Sequence, residues 1–175
     1  MPNSYRILLA DDQAFLRKGL VSILEQDREF CVAGEAGDGL ALLNLLNQGV
    51  VPDVLILDLS MPKMSGIEVL RRIREMAVTF KILVLTMHKE PEILCQTCSS
   101  GANGYMLKDG MAKELLPALH ALLNDRIYLS PLMAKELPDT CWMKTTAQQC
   151  LPSSTARHCE KIFRDHSEGN ISPLL

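Results

Sequence analysis

The stretch Asp53-Val54-Leu55-Ile56-Leu57-Asp58-Leu59-Ser60-Met61-Pro62, continued by Lys63-Met64-Ser65-Gly66, decides the fold. Its apolar run is short, built of branched aliphatic side chains, and apolar on both faces. A strand of that kind is covered on both sides, as in parallel sheets. The run stops at an acid, Asp58, and Pro62 and Gly66 bracket the loop that follows. Beyond Gly66 the apolar spacing changes to Ile67, Leu70 and Ile73, the period of a helix with one buried face.

The same alternation extends outward in both directions. Short apolar runs recur at 6–12 (RILLADD), 30–36 (FCVAGEA), 81–87 (KILVLTM) and 104–108 (GYMLK). Helical spacing separates them, as in Leu16, Leu20, Ile23 and Leu24, then Leu42, Leu45 and Leu46. Strands alternating with helices of this length predict parallel βαβ units, here five strands and five helices in a doubly wound sheet over residues 1–128. Gly37-Asp38-Gly39 opens the second helix, Pro91 suits the first turn of the fourth, and Gly101 suits its end. Pro117 falls inside the fifth helical pattern and predicts a bent helix. The regular pattern ends at Ser130-Pro131, with one further short helix from Met133 to Leu137. A linker over 129–150 and a poorly ordered tail over 151–175 are expected.

A hydrophobic content of 47%, 22% charged residues and a net charge of -3 describe one globular domain plus a remainder. They carry no whole-chain sign of nucleic-acid binding. The N-terminus runs from a few polar residues into a short apolar stretch closed by two acids, neither a secretory signal nor a membrane span. The expected location is cytoplasmic, with no membrane partner. Disulfides among the six cysteines are not expected there. Cys95-x-x-Cys98 lacks a second such pair and reads as two small apolar residues on one helix face. Cys141, Cys150, Cys159, His158 and His166 have spacings that match no standard zinc finger.

Ligands of an open parallel sheet bind beyond the carboxyl ends of its strands. The first strand ends in Asp11-Asp12, the third in Asp58, the fourth in Thr86 and the fifth in Lys108, so these groups converge on one edge. Carboxylates held close repel one another unless a cation neutralises them, and hard oxygen ligands in a small site suit Mg²⁺. One carboxylate can then attack a phosphoryl donor in line, while an ammonium steadies the phosphoryl oxygens. Lys108 supplies the ammonium, and the Thr86 hydroxyl can bond the group once transferred. Asp11 and Asp12 are adjacent and suit a metal pair; Asp58, alone at the tip of the central strand, is the nucleophile. His88 either faces this site or is a solvated loop residue.

The segments ADD (10–12), LILDLSMPKMSGIEVL (55–70), LVLTMHKEPE (83–92) and GANGYMLKDG (101–110) resemble the receiver domain of two-component response regulators, specifically the NarL/FixJ branch. The resemblance implies a flavodoxin-like five-stranded parallel sheet of order 2-1-3-4-5 with helices on both faces. It implies that Asp58 is the phosphoacceptor, and that Asp11, Asp12, Asp58 and the backbone carbonyl of Ser60 bind Mg²⁺. Thr86 and Tyr105 would be the switch pair, Tyr105 turning into space that Thr86 vacates, and Lys108 would contact the phosphoryl group. A sensor histidine kinase would be the donor, and the domain would catalyse only its own phosphorylation and dephosphorylation. Phosphatases with an aspartyl nucleophile on a similar sheet typically carry a second acid two residues later, where this chain has Ser60. A homodimer through the first and fifth helices is possible for this branch. Many receivers carry proline after the lysine; this one carries Asp109.

Regulators of this branch normally end in a LuxR-type domain whose helix-turn-helix enters the major groove of DNA. Residues 151–175 resemble only a truncated or degenerate start of one. Four basic residues over 138–175 (Lys144, Arg157, Lys161, Arg164) face four acids (Asp139, Glu160, Asp165, Glu168), a poor phosphate-binding surface. The expectation is transcriptional control through an output domain missing or incomplete in this sequence. The alternative is a stand-alone receiver acting by protein contact or as a phosphate sink.

Overall fold

The computed structural model describes residues 4–136. The expected tail, with Cys141, Cys150, Cys159, His158 and His166, and most of the expected linker lie outside them. The elements alternate: β1 (Tyr5–Ala10), α1 (Ala14–Leu24), β2 (Phe30–Ala36), α2 (Gly39–Asn47), β3 (Val54–Asp58), α3 (Gly66–Glu75), β4 (Lys81–Thr86), α4 (Pro91–Ser99), β5 (Gly104–Leu107), α5 (Met111–Leu123), β6 (Tyr128–Leu129) and α6 (Pro131–Glu136). The strands pair in parallel, in the order β2-β1-β3-β4-β5-β6. The expected order 2-1-3-4-5 is present, and β6 extends the sheet beyond it. Two residues are too few to show a period, so β6 was not legible as a strand.

The two-sided apolar runs divide as the pleat requires. Leu8, Leu55, Leu57 and Val84 face one layer with Leu42, Leu70, Leu94 and Met133 from the helices. Ile7, Leu9, Ile56, Leu83 and Leu85 face the other, with Leu20, Leu115 and Leu119 from α1 and α5. Both faces are therefore dry, and the polar strand ends are left at one rim.

Local signals place the helices. Asp38 caps α2, its carboxylate accepting the Ala41 amide at 2.8 Å. Ser65 and Glu68 form a reciprocal capping box at the start of α3. Pro91 opens α4, and Gly101, at φ +100°, follows its end in the left-handed conformation that glycine tolerates. α5 runs unbroken through Pro117. Cys98 is buried on α4 and Cys95, one turn earlier, is half-buried. Lys108–Gly110 form a 3-10 turn joining β5 to α5. Among the described residues, no helix is long and apolar enough to cross a membrane.

Candidate functional site

β3 delivers Asp58 to the rim with 1% of its surface exposed, its carboxylate held from two sides. Oδ1 accepts the Ser60 amide at 3.1 Å, and Oδ2 accepts the Lys108 ammonium at 2.8 Å. Gly66 permits this geometry. A Cβ there would stand 2.3 Å from the backbone oxygen of Asp58, so α3 starts directly against the nucleophile's own peptide group.

Asp11 follows β1 and is equally buried. Its Oδ1 accepts the Gln13 amide at 2.8 Å, and its backbone carbonyl accepts from the Arg17 guanidinium. Arg17, one turn into α1, also pairs with Glu35 at 3.2 Å and so ties the β1–α1 turn to β2. No motif pointed to Arg17, because its partners are a backbone oxygen and a residue 18 positions away.

The Lys108 ammonium lies 2.7 Å from Asp11 Oδ2 and 2.8 Å from Asp58 Oδ2. Burial works against its charge, but the bonds and charges of Asp11 and Asp58 outweigh that and hold Lys108 above its ordinary value. Asp12 is exposed, yet its carboxylate groups with those of Asp11 and Asp58 within 4.8 Å. Three carboxylates and one ammonium leave two formal negative charges uncompensated. Asp11 Oδ2 is buried and is paired with the Lys108 ammonium alone among the described residues. A largely buried, net-negative cluster of carboxylate oxygens fits a small hard cation.

Thr86 ends β4, fully buried, and its Oγ1 accepts the His88 amide at 3.1 Å. The Tyr105 ring is already inside, 1% exposed, and its hydroxyl donates to the His88 carbonyl at 3.0 Å. Burial holds the phenol above the ordinary tyrosine range, so it remains a protonated donor. Thr86 and Tyr105 are thus both bonded to the backbone of His88. His88 faces the site: Nε2 lies 3.0 Å from Ser60 Oγ, and Nδ1 lies 3.4 Å from Glu90. Ser60 thereby joins Asp58 through its amide and His88 through its hydroxyl. The role of its side chain was not legible, since its partner lies on another loop.

Residues 7–120 match the family described as the response regulator receiver domain. The chain is 34% identical over 160 residues to the uncharacterized transcriptional regulatory protein YxjL of Bacillus subtilis, covering 90% of this chain and 73% of that protein. It is 35% identical over 135 residues to the nitrate/nitrite response regulator protein NarL of Escherichia coli, covering 75% and 62%. Among solved structures, it superposes on a LuxR-family two-component response regulator from Aurantimonas with a TM-score of 0.71 and 33% identity, covering 77% of this chain and 95% of that one. The isolated REC domain of RcsB from Salmonella enterica, solved with the phosphomimetic BeF3-, gives a TM-score of 0.72 and 32% identity over 78% and 100%. The chain thus spans between 62% and 73% of the two full-length relatives.

Proposed function

The chain belongs to the response regulator receiver domain family, and on that premise we propose that Asp58 accepts a phosphoryl group from a sensor histidine kinase and that the product biases the loop after β4. The observation that carries this reading is the Asp58 carboxylate, buried at a strand tip and gripped by the Ser60 amide and the Lys108 ammonium beside Asp11. Those contacts fix the rotation of the carboxylate, so one of its oxygens can attack phosphorus in line as the bond to the donor breaks. Lys108 stabilises charge on the phosphoryl oxygens as the new bond forms. Asp11, Asp12, Asp58 and the Ser60 carbonyl would hold Mg²⁺, which offsets the negative charge of carboxylates and phosphoryl group together.

The Thr86 hydroxyl accepts from His88 and still carries its own proton. It donates that proton in a hydrogen bond to a phosphoryl oxygen, which makes it a better acceptor for the His88 amide. The β4–α4 loop is thereby held, and Tyr105 with it through the His88 carbonyl. This mechanism keeps the ring inward; it does not require the ring to swing in after phosphorylation.

The relatives named as transcriptional regulators support transcriptional control as the output, and a cytoplasmic location accords with that. The proposed organisation is a receiver, a linker to residue 150 and a tail over 151–175. The test is incubation with acetyl phosphate and Mg²⁺ followed by intact mass. One phosphoryl adduct is expected on the wild type and none on Asp58→Asn; an adduct that persists in the variant overturns the assignment.

A further inference from the structure

The chain does not leave the receiver at the end of α5. It returns to the sheet edge, where β6 lies beside β5 with Tyr128 opposite Gly104 and Leu129 opposite Tyr105. The next amide, that of Ser130, donates to the backbone carbonyl of Tyr105 at 2.9 Å. α6 then packs against β5, and Leu129 and Met133 are buried in the same apolar layer as Tyr105, Leu94 and Cys98.

These contacts complete a path. The Thr86 hydroxyl accepts from the His88 amide at 3.1 Å, the His88 carbonyl accepts from the Tyr105 hydroxyl at 3.0 Å, and the Tyr105 carbonyl accepts from the Ser130 amide at 2.9 Å. Three hydrogen bonds, joined through two residues, connect the rim of the phosphoryl site to the segment by which the chain exits.

The far end of that path is built to be marginal. β6 is two residues long, and α6, at six, is too short to be helical without its docking surface. Ser130 is fully buried, and its hydroxyl has no hydrogen-bond partner among the described residues. A buried, unpaired hydroxyl penalises the docked state and is relieved when water reaches it. Burial of Leu129 and Met133 opposes that penalty. An element held by one apolar contact set and weakened by an orphan polar group opens locally without unfolding the domain.

We infer that residues 128–136 form a latch whose docking is set by the state of Asp58: phosphorylation tightens the Thr86–His88–Tyr105 path and closes β6 and α6 onto β5. The state of the site is thereby passed along the chain to the residues that follow Glu136. This rests on the reading of Asp58 as phosphoacceptor.

The test is amide hydrogen exchange over 128–133 in the full chain, with intact mass reporting the adduct separately. Phosphorylation is expected to slow exchange there about fivefold, the effect of one hydrogen bond. Tyr105→Phe should speed exchange in the unphosphorylated chain by a similar factor and abolish the phosphorylation-dependent change while the adduct still forms. Ser130→Ala, which removes the orphan hydroxyl, should slow exchange about fivefold without any phosphoryl group. An adduct with unchanged exchange overturns the latch while sparing the phosphoacceptor reading. Absence of an adduct overturns the phosphoacceptor reading and its control of the latch. Exchange unaffected by Tyr105→Phe overturns the path whatever the mass shows.

Discussion

Replacing Lys108 by methionine keeps an unbranched stem and removes the ammonium. In the wild type the lysine side chain is 6% exposed and sits within 2.8 Å of both buried carboxylates. Removing one partner of a buried ion pair costs about 3–5 kcal/mol, because the charge left behind is uncompensated. Asp58 keeps the Ser60 amide and Asp11 keeps the Gln13 amide, which places the loss at the lower end, about 3 kcal/mol. For a domain of this size that corresponds to a melting temperature lower by roughly 10 °C.

The loss should depend on divalent cation. Without the ammonium three carboxylates face one another, so Mg²⁺ binds the variant more tightly than the wild type. Binding about a hundredfold tighter than in the wild type returns roughly 2.7 kcal/mol more to the variant at saturation. Most of the deficit should therefore disappear in excess Mg²⁺. The assay is thermal unfolding by circular dichroism, in chelator and in excess Mg²⁺, for both proteins. A variant that melts with the wild type in chelator, or gains no more than the wild type from Mg²⁺, would refute the electrostatic account of the site.

Gly66→Ala drives a Cβ into the backbone of Asp58 and Leu59; destabilisation of about 1–3 kcal/mol is expected by urea titration, together with slower adduct formation. His88→Ala removes the bond to Ser60 but keeps both backbone bonds, and the His88 side chain is 39% exposed. Stability should change by less than about 0.5 kcal/mol, while decay of the Asp58 adduct, followed by mass over time, becomes faster as the mouth between the two loops opens. Lys108 lies above its ordinary value in the fold. Its stabilisation is therefore complete below the unfolded value of about 10.4 and is lost as pH rises through the folded value. Tyr105 and Tyr128, both raised by burial, lose stability over a similar alkaline window. The test is thus the difference between wild type and Lys108→Met: in chelator the gap in urea midpoint should narrow above pH ~10.4, and a constant gap would refute the assignment.

The sheet and the acidic cluster were legible because both depend on strands. A run such as Val54–Asp58 announces its own period and its end, and a parallel sheet carries every such end to the same rim. Asp11, Asp58 and Lys108 could therefore be brought together from positions far apart in the chain. Loop partners carry no such signal. The bond between Ser60 and His88, and the anchoring of the Asp11 carbonyl by Arg17, depend on how turns of different strands approach one another. The anchoring of the Tyr105 hydroxyl was illegible for a related reason. Its partner is the carbonyl of His88, a backbone group that side-chain patterns do not reveal.

The divide between legible and illegible parts follows the physical division of labour in the site. Transfer chemistry needs charges at fixed positions, and strand ends supply them rigidly. Readout needs a group that can be in either of two places, and rigid strands cannot provide it. In the proposed latch the movable parts are the loop at 87–90 and the short β6–α6 segment, both bonded to Tyr105. Tyr105 donates its side-chain hydroxyl to one and offers its backbone carbonyl to the other, so it couples them without leaving the core. On the proposed latch, Tyr105 would carry the switch although its ring need not move at all.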